Sequence, residues 1–228
     1  MKKKLSIILV AIIVISVCIS SLAYSSESVL CGEKTYTVST NGIIKTAEDT
    51  ENGIKVSYNS ITGVLVVSEA NGAETTSINI RMFSTDDYKI EPSKDDSNSS
   101  HDNEYAYRCT NKYIGGRPYK LWQLQIPNKV KLTYQENANS YEILSFVSCV
   151  NDLCACERAI FLKVGQAALN AALTIMSSFH SGLWGIIATV LFGASASDVL
   201  ENMFGISNAK KYCNKYFNDI VVFSKPIS

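Results

Sequence analysis

Short runs in which apolar and polar residues alternate fill the chain from about Lys34 to Val150. Asn-Gly pairs at positions 41–42, 52–53 and 71–72 separate several of these runs. Asn-Gly between β-branched runs is a strong β-hairpin signal, because both central residues of a type I′ turn need positive φ. Strands are predicted over residues 35–38, 54–58, 63–67, 75–83, 119–126, 130–134 and 141–148. So many short strands are typical of an antiparallel β sandwich or a barrel-like domain.

Helical spacing of the apolar residues replaces this alternation after Asp152. Helices are predicted over residues 158–179, 183–194, 198–204 and 208–216, and a closing strand over residues 220–223. The sequence His180-Ser181-Gly182 separates the first helix from the second, and Gly205 is expected to stop the third. The pattern therefore predicts an α+β protein, with a β-rich domain over residues 24–150 and a helical region over residues 151–228.

Residues 164–197 form the longest uncharged stretch of the mature chain. A helix of a soluble protein normally turns one polar face to water, so this stretch is either a helical hairpin buried inside a domain or a segment meant for a membrane. Each half is short for a full span, which favours a buried hairpin that swings out or inserts shallowly. The candidate membrane-active residues are Leu169, Leu173, Met176, Trp184, Ile186, Ile187, Val190, Leu191 and Phe192.

The first 23 residues have the pattern of a secretory signal peptide. Three lysines at positions 2–4 precede an apolar run over residues 5–19, and small residues lead up to a cleavage position after Ala23. Cys18 is expected to leave with this peptide. We therefore expect a mature protein that begins near Tyr24 and is secreted through the Sec pathway.

Six cysteines remain in the mature chain, an even number that predicts disulfides in an oxidising compartment. They are Cys31, Cys109, Cys149, Cys154, Cys156 and Cys213. The dense group at positions 149–156 is expected to link outward to the other three, although six cysteines allow fifteen pairings and the sequence does not choose among them. A metal site is the less favoured interpretation, because the spacing is not C-x2-C and no histidine is nearby.

Charge and motifs argue against several classes of function. The full chain carries 21 basic and 21 acidic residues, and removal of the three signal lysines leaves a net charge of −3, without a basic footprint for nucleic acid. The sequence contains no nucleophile elbow, P-loop, dinucleotide fingerprint or zinc-binding helix, so we expect a protein that is not an enzyme and needs no cofactor. Residues 92–104 predict a solvated polar loop. The alternative is a calcium loop, which lacks the sixth-position glycine and the acid spacing of an EF-hand; its oxygen ligands would be Asp95, Asp96, Asn98, Asp102 and Glu104.

Three features together resemble the geobacillin-type large bacteriocins of Gram-positive bacteria. They are the Lys-rich signal, the Asn-Gly-punctuated region from Asn41 onward, and the Gly/Ala-rich segment before the Lys-Lys-Tyr-Cys tail that ends at Cys213. The resemblance covers most of the chain and implies an unmodified antimicrobial protein that acts on related bacteria. It carries over no catalytic residue.

The predicted function is a secreted antibacterial toxin that acts on target cell membranes through the uncharged hairpin. Its expected partner is the target bacterial membrane, and a receptor or a cognate immunity protein is a further candidate partner. The alternative is a secreted or cell-surface binding protein without enzymatic activity, in which the hairpin is a buried helical core. A third hypothesis, a membrane-anchored sensor or immunity protein, would use the hairpin as a permanent span and place Lys210, Lys211 and Lys215 on the cytoplasmic side.

Overall fold

The computed structural model describes residues 24–69, 74–80 and 97–227. The predicted signal peptide, the Asn71-Gly72 turn and the acids Asp95 and Asp96 of the polar loop lie outside these described residues. The described strands form two antiparallel sheets, one of six strands in the order β1 to β6 and one of four strands in the order β10-β9-β8-β7. Helices follow the last strand, which confirms the α+β class with a β-rich N-terminal part and a helical C-terminal region.

The strands of the six-stranded sheet are β1 (Tyr24–Cys31), β2 (Lys34–Asn41), β3 (Ile44–Asp49), β4 (Ile54–Asn59), β5 (Val64–Glu69) and β6 (Glu74–Asn79). Those of the four-stranded sheet are β7 (Ser97–Ser99), β8 (Ala106–Ile114), β9 (Arg117–Ile126) and β10 (Lys129–Tyr134). The helices are α1 (Ser140–Val164), α2 (Gln166–Ser178), α3 (Ser181–Phe192) and α4 (Ala196–Asp219), with a 3-10 turn at Gly193–Ser195 between α3 and α4.

The chain divides into two compact units that are not consecutive in sequence. Unit 1 contains strands β1 to β6 together with Phe179–Ser197, which is α3 and the turn after it. Unit 2 contains β7 to β10, α1, α2 and the chain from Asp198 onward, which is nearly all of α4. The two helices of the uncharged stretch therefore belong to different units.

Unit 1 is a meander of hairpins in which alternate side chains are buried. Val38, Ala47, Val56 and Leu65, one from each of four successive strands, are at most 2% exposed, as the two-residue period of a half-buried sheet requires. The hairpins predicted at the first two Asn-Gly pairs are confirmed. In the first, Gly42 is the first central residue and has φ 58° while Ile43 keeps a negative φ, so the turn is type II′ rather than type I′.

Unit 2 packs α1 along α4 in antiparallel fashion. The ring of Phe146 lies 5.9 Å from that of Phe217 near one end, and Lys163 forms a 2.7 Å ion pair with Asp198 near the other. The Nζ of Lys131 donates to the carbonyl oxygens of Phe217 and Ile220, which otherwise lack partners at the C-terminal end of a helix.

Several predicted elements were wrong in detail. Residues 141–148 were predicted as a strand but begin α1, and the predicted helix over residues 158–179 is interrupted at Gly165, where φ is +85°. The chain continues through Gly205 as one helix, α4, and Cys156 lies against the space that a Cβ at position 205 would occupy. Residues 220–223 form no regular strand, although the carbonyl of Phe223 accepts a hydrogen bond from the N–H of Tyr134.

Candidate functional site

The helix α3 is enclosed within unit 1. Six consecutive residues, 186–191, are buried, so every face of the helix is covered along nearly two turns. Strands β1 to β4 pack against it. No charged residue occurs in α3, so burial on all sides leaves no ionised group without water.

The polar groups of α3 have partners inside unit 1. The indole N–H of Trp184 donates to the carbonyl of Phe179 at 2.9 Å, and the hydroxyl of Thr189 donates to the carbonyl of Gly185 at 2.8 Å. Burial raises the pKa of the Cys31 thiol on β1, and the neighbouring Thr189 side chain acts to lower it.

Both ends of α3 are marked by changes in backbone direction. His180 precedes the helix with an extended backbone, at φ −69° and ψ 155°, and Gly193 follows it with φ 54°. Beyond Gly193, the hydroxyl of Ser197 accepts a hydrogen bond from the N–H of Gly32 at 3.4 Å. The segment that fills unit 1 therefore leaves the helical region and returns to it within 19 residues, Phe179–Ser197.

The stretch Ser181–Asp219 is long and apolar enough to cross a membrane, judged by length and composition, with a mean hydropathy of 1.6 over its most apolar window. About 67% of that window is buried. A mostly buried core helix of a soluble protein meets the same criterion, so this property is shared by the toxin hypothesis and the binding-protein hypothesis.

The structure divides the nine predicted membrane-active residues between the units. Trp184, Ile186, Ile187, Val190 and Leu191 are buried in α3, and Phe192 is half-buried at its end. Leu169 is buried in α2, where Leu173 and Met176 are half-buried. Because α2 belongs to unit 2 and contacts α1, whereas α3 is enclosed in unit 1, the α3 residues form the candidate site.

A buried polar cluster in unit 2 was missed in the sequence. Glu157 is fully buried on α1, and its Oε2 accepts a 2.7 Å hydrogen bond from the backbone N–H of His101. The ring of His101 lies 3.0 Å from Oδ1 of Asn170 and 3.1 Å from Nε2 of Gln166. The remaining side-chain oxygens of Glu157 and Gln166 have no protein partner. The pKa of Glu157 is raised to about 7, mainly by burial; the hydrogen bond from the His101 N–H opposes this shift, as does Lys210, whereas Asp102 adds to it.

The polar loop next to this cluster is ordered where the structure describes it. Burial acts to raise the pKa of Asp102, but hydrogen bonds from the Ser100 hydroxyl and the Glu104 N–H hold that pKa below its usual value. The Asp102 carboxylate also lies 3.6 Å from Nζ of Lys210. Over the described ranges, no three His, Cys, Asp or Glu side chains are grouped so that they could hold a metal ion.

All six cysteines of the described chain are present as thiols. Cys31, Cys109 and Cys213 are buried, and Cys149, Cys154 and Cys156 are half-buried. Burial raises the pKa of Cys154 to about 12, and its thiol donates to the carbonyl of Ser99. The three-bridge pattern expected from the sequence stays a prediction.

Comparisons with protein-family models, with curated proteins and with solved structures find no match to this chain. The similarity to large bacteriocins therefore stays a prediction from the sequence. The enclosed, uncharged helix α3 is therefore the feature on which a function can be based.

Proposed function

We propose that the protein is a secreted antibacterial toxin that acts on the membrane of target bacteria through α3. The observation that carries the proposal is the combination of an uncharged segment, Ser181 to Ser197, with its enclosure in unit 1. A segment of this kind is insoluble when exposed, and the sheet of unit 1 keeps it away from water until a bilayer is available.

The length of this segment suits shallow or tilted insertion. The 12 residues of α3 would span about 18 Å at 1.5 Å per residue, and the uncharged segment to Ser197 about 25 Å, compared with roughly 30 Å for the hydrocarbon core of a bilayer. Trp184 lies near the start of the helix, where an amphipathic ring would take an interfacial position.

Release of α3 into water would be strongly unfavourable. Eight of its residues are buried, and re-exposure of large apolar side chains costs about 1.5–3 kcal/mol each, so the total is on the order of 10 kcal/mol. A bilayer replaces the lost apolar contacts and removes most of this cost. The proposal therefore requires that release and insertion be coupled, and that α3 stay enclosed in the absence of lipid.

The second candidate function is a secreted or cell-surface binding protein in which α3 is permanent core. The satisfied polar groups of Trp184 and Thr189 favour it, since a completed hydrogen-bond pattern is typical of a static interior. The two functions make opposite predictions about whether α3 ever leaves the sheet.

A covalent staple between α3 and β1 tests this difference. The thiol of Cys31 already contacts the side chain of Thr189, so Thr189→Cys places a second thiol at the same contact and oxidation should join the two positions. The assay is dye release from liposomes of anionic bacterial lipids, after peptide mapping has verified the link. We expect the oxidised variant to be folded and inactive and to recover activity on mild reduction.

The matched control is Thr189→Cys combined with Cys31→Ser, which carries the same change in α3 but has no partner thiol on β1. This control should release dye equally under oxidising and reducing conditions. If the stapled protein releases dye as fast as the control, α3 is not the segment that acts on the membrane and the proposal is wrong. If neither protein releases dye, the binding-protein function is favoured.

A further inference from the structure

The helices α1 and α4 run antiparallel and contact each other near both ends. Tyr141 meets Tyr216 with ring centroids 6.2 Å apart, and Phe146 meets Phe217 at 5.9 Å. At the other end, the ion pair between Lys163 and Asp198 holds the helices together. The Phe146–Phe217 and Lys163–Asp198 pairs define one antiparallel register, which the Tyr141–Tyr216 contact does not follow.

Two cysteines face each other within this register. Cys149 lies one turn beyond Phe146 on α1, and Cys213 lies one turn before Phe217 on α4, so the register places them opposite one another. Each of the two thiols also affects the pKa of the other, as neighbouring groups do. Two turns further along α1, Cys156 packs against Gly205, where a Cβ would come within 2.5 Å of its sulfur. The missing side chain at Gly205 allows the helices to approach closely in the neighbourhood of the pair.

We propose that Cys149 and Cys213 are joined by a disulfide in the oxidised protein, which cross-links α1 to α4. Each thiol loses its proton and the pair loses two electrons. These electrons reduce the disulfide of an external oxidant, either a thiol–disulfide oxidoreductase or glutathione disulfide, to two thiols, and the two sulfurs form one S–S bond.

The surroundings of the other cysteines support this choice among the fifteen pairings. The thiol of Cys154 is directed to the carbonyl of Ser99, at 3.1 Å, and that of Cys31 contacts Thr189 in unit 1. Burial raises the pKa of both Cys149 and Cys213, so few thiolates are present at neutral pH and the uncatalysed oxidation is slow.

The bridge closes a loop that contains the whole uncharged segment, residues 164–197. This consequence rests on the proposed function: an inserting α3 would then enter the bilayer as a loop whose two ends are tied together. The bridge itself can be tested without any membrane, so failure of one proposal does not decide the other.

The test is peptide mapping of the full chain after refolding in a mixture of reduced glutathione and glutathione disulfide at about pH 8.5. Refolding exposes the thiols while the bridge forms, so slow oxidation of buried groups does not limit the result. After an acid quench, the protein is unfolded and its remaining thiols are alkylated. We expect one cross-linked peptide pair that contains Cys149 and Cys213. Cys149→Ser should abolish this pair, whereas the matched variant Cys154→Ser should retain it.

A second readout is the midpoint of thermal unfolding. Reduction should lower the midpoint of the oxidised parent by roughly 5–15 °C, because the bridge closes a long loop, and should leave that of Cys149→Ser unchanged. Alkylation of both Cys149 and Cys213 after the oxidation step would overturn the proposal, as would a link from Cys213 to Cys154 or to any other cysteine.

Discussion

The buried carboxyl of Glu157 should make the stability of the protein depend on pH, and Glu157→Gln should remove that dependence. The pKa of Glu157 is raised from an ordinary 4.5 to about 7, mainly because burial disfavours the charged form. In the folded protein the group holds its proton up to about pH 7, whereas in the unfolded chain it releases the proton near pH 4.5.

The sign and size of the effect follow from this difference. Below about pH 4.5 the protonated Glu157 carboxyl makes its full contribution to the free energy of unfolding. This contribution is lost as the pH rises through about 7. A difference of about 2.5 pKa units at 1.36 kcal/mol each corresponds to about 3 kcal/mol. The free energy of unfolding of Glu157→Gln, measured relative to that of the parent, should therefore rise by about 3 kcal/mol between pH 4.5 and pH 8.

The measurement is the free energy of unfolding by urea for parent and variant across this pH range. Gln166→Met is the matched control, because it removes a polar side chain from the same cluster but no carboxyl. Its effect on the free energy of unfolding should therefore not show the pH dependence expected for Glu157→Gln. A difference between parent and Glu157→Gln that is constant from pH 4.5 to 8 would refute the reasoning. It would mean that Glu157 is ionised in the folded state, with a water or a cation beside its second oxygen.

Three further changes have defined outcomes. Asn139→Leu should cost about 2–4 kcal/mol in urea unfolding, because the buried amide donates to the carbonyls of Tyr134 and Val221 and both would lose that donor. Lys131→Met should cost about 1–2 kcal/mol in the same assay, since it removes the ammonium that satisfies the carbonyls at the end of α4. Val56→Ala, which truncates a fully buried residue of a strand packed on α3, should destabilise the protein by about 1–3 kcal/mol and, under the proposed function, accelerate dye release from liposomes.

The β-hairpins could be predicted because their signal is local. An Asn-Gly pair between two alternating runs determines a turn from four or five residues, and β2 to β4 follow directly. The start of α1 was predicted as a strand because residues 141–148 resemble an alternating run when taken alone. The longer series Ile143, Phe146, Val150 and Leu153 has the spacing of a helix and continues beyond that window.

The same helical series of apolar residues in α1 also indicated the buried polar cluster around Glu157, which was missed in the sequence. Glu157 follows Leu153 and precedes Ile160 on the buried face of α1, and a charged residue in such a position is expected to be neutralised or paired. The location of α3 could not be predicted in this way. Its partners are strands that lie well over a hundred residues earlier, and no local pattern shows that a helix will pack against a distant sheet rather than against the helix before it.

The most direct test of the proposed function is to follow α3 itself by its tryptophan. The chain has two tryptophans, so Trp122→Phe leaves Trp184, which is 5% exposed in unit 1, as the single reporter. The measurement is quenching of its fluorescence by lipids that carry a quencher in the acyl chain, in anionic liposomes. We predict strong quenching when the protein is added to these liposomes, and none when Thr189→Cys is also present and oxidised. Fluorescence of Trp184 that stays unquenched while dye is released, or with no release at all, would contradict the proposal that α3 enters the membrane.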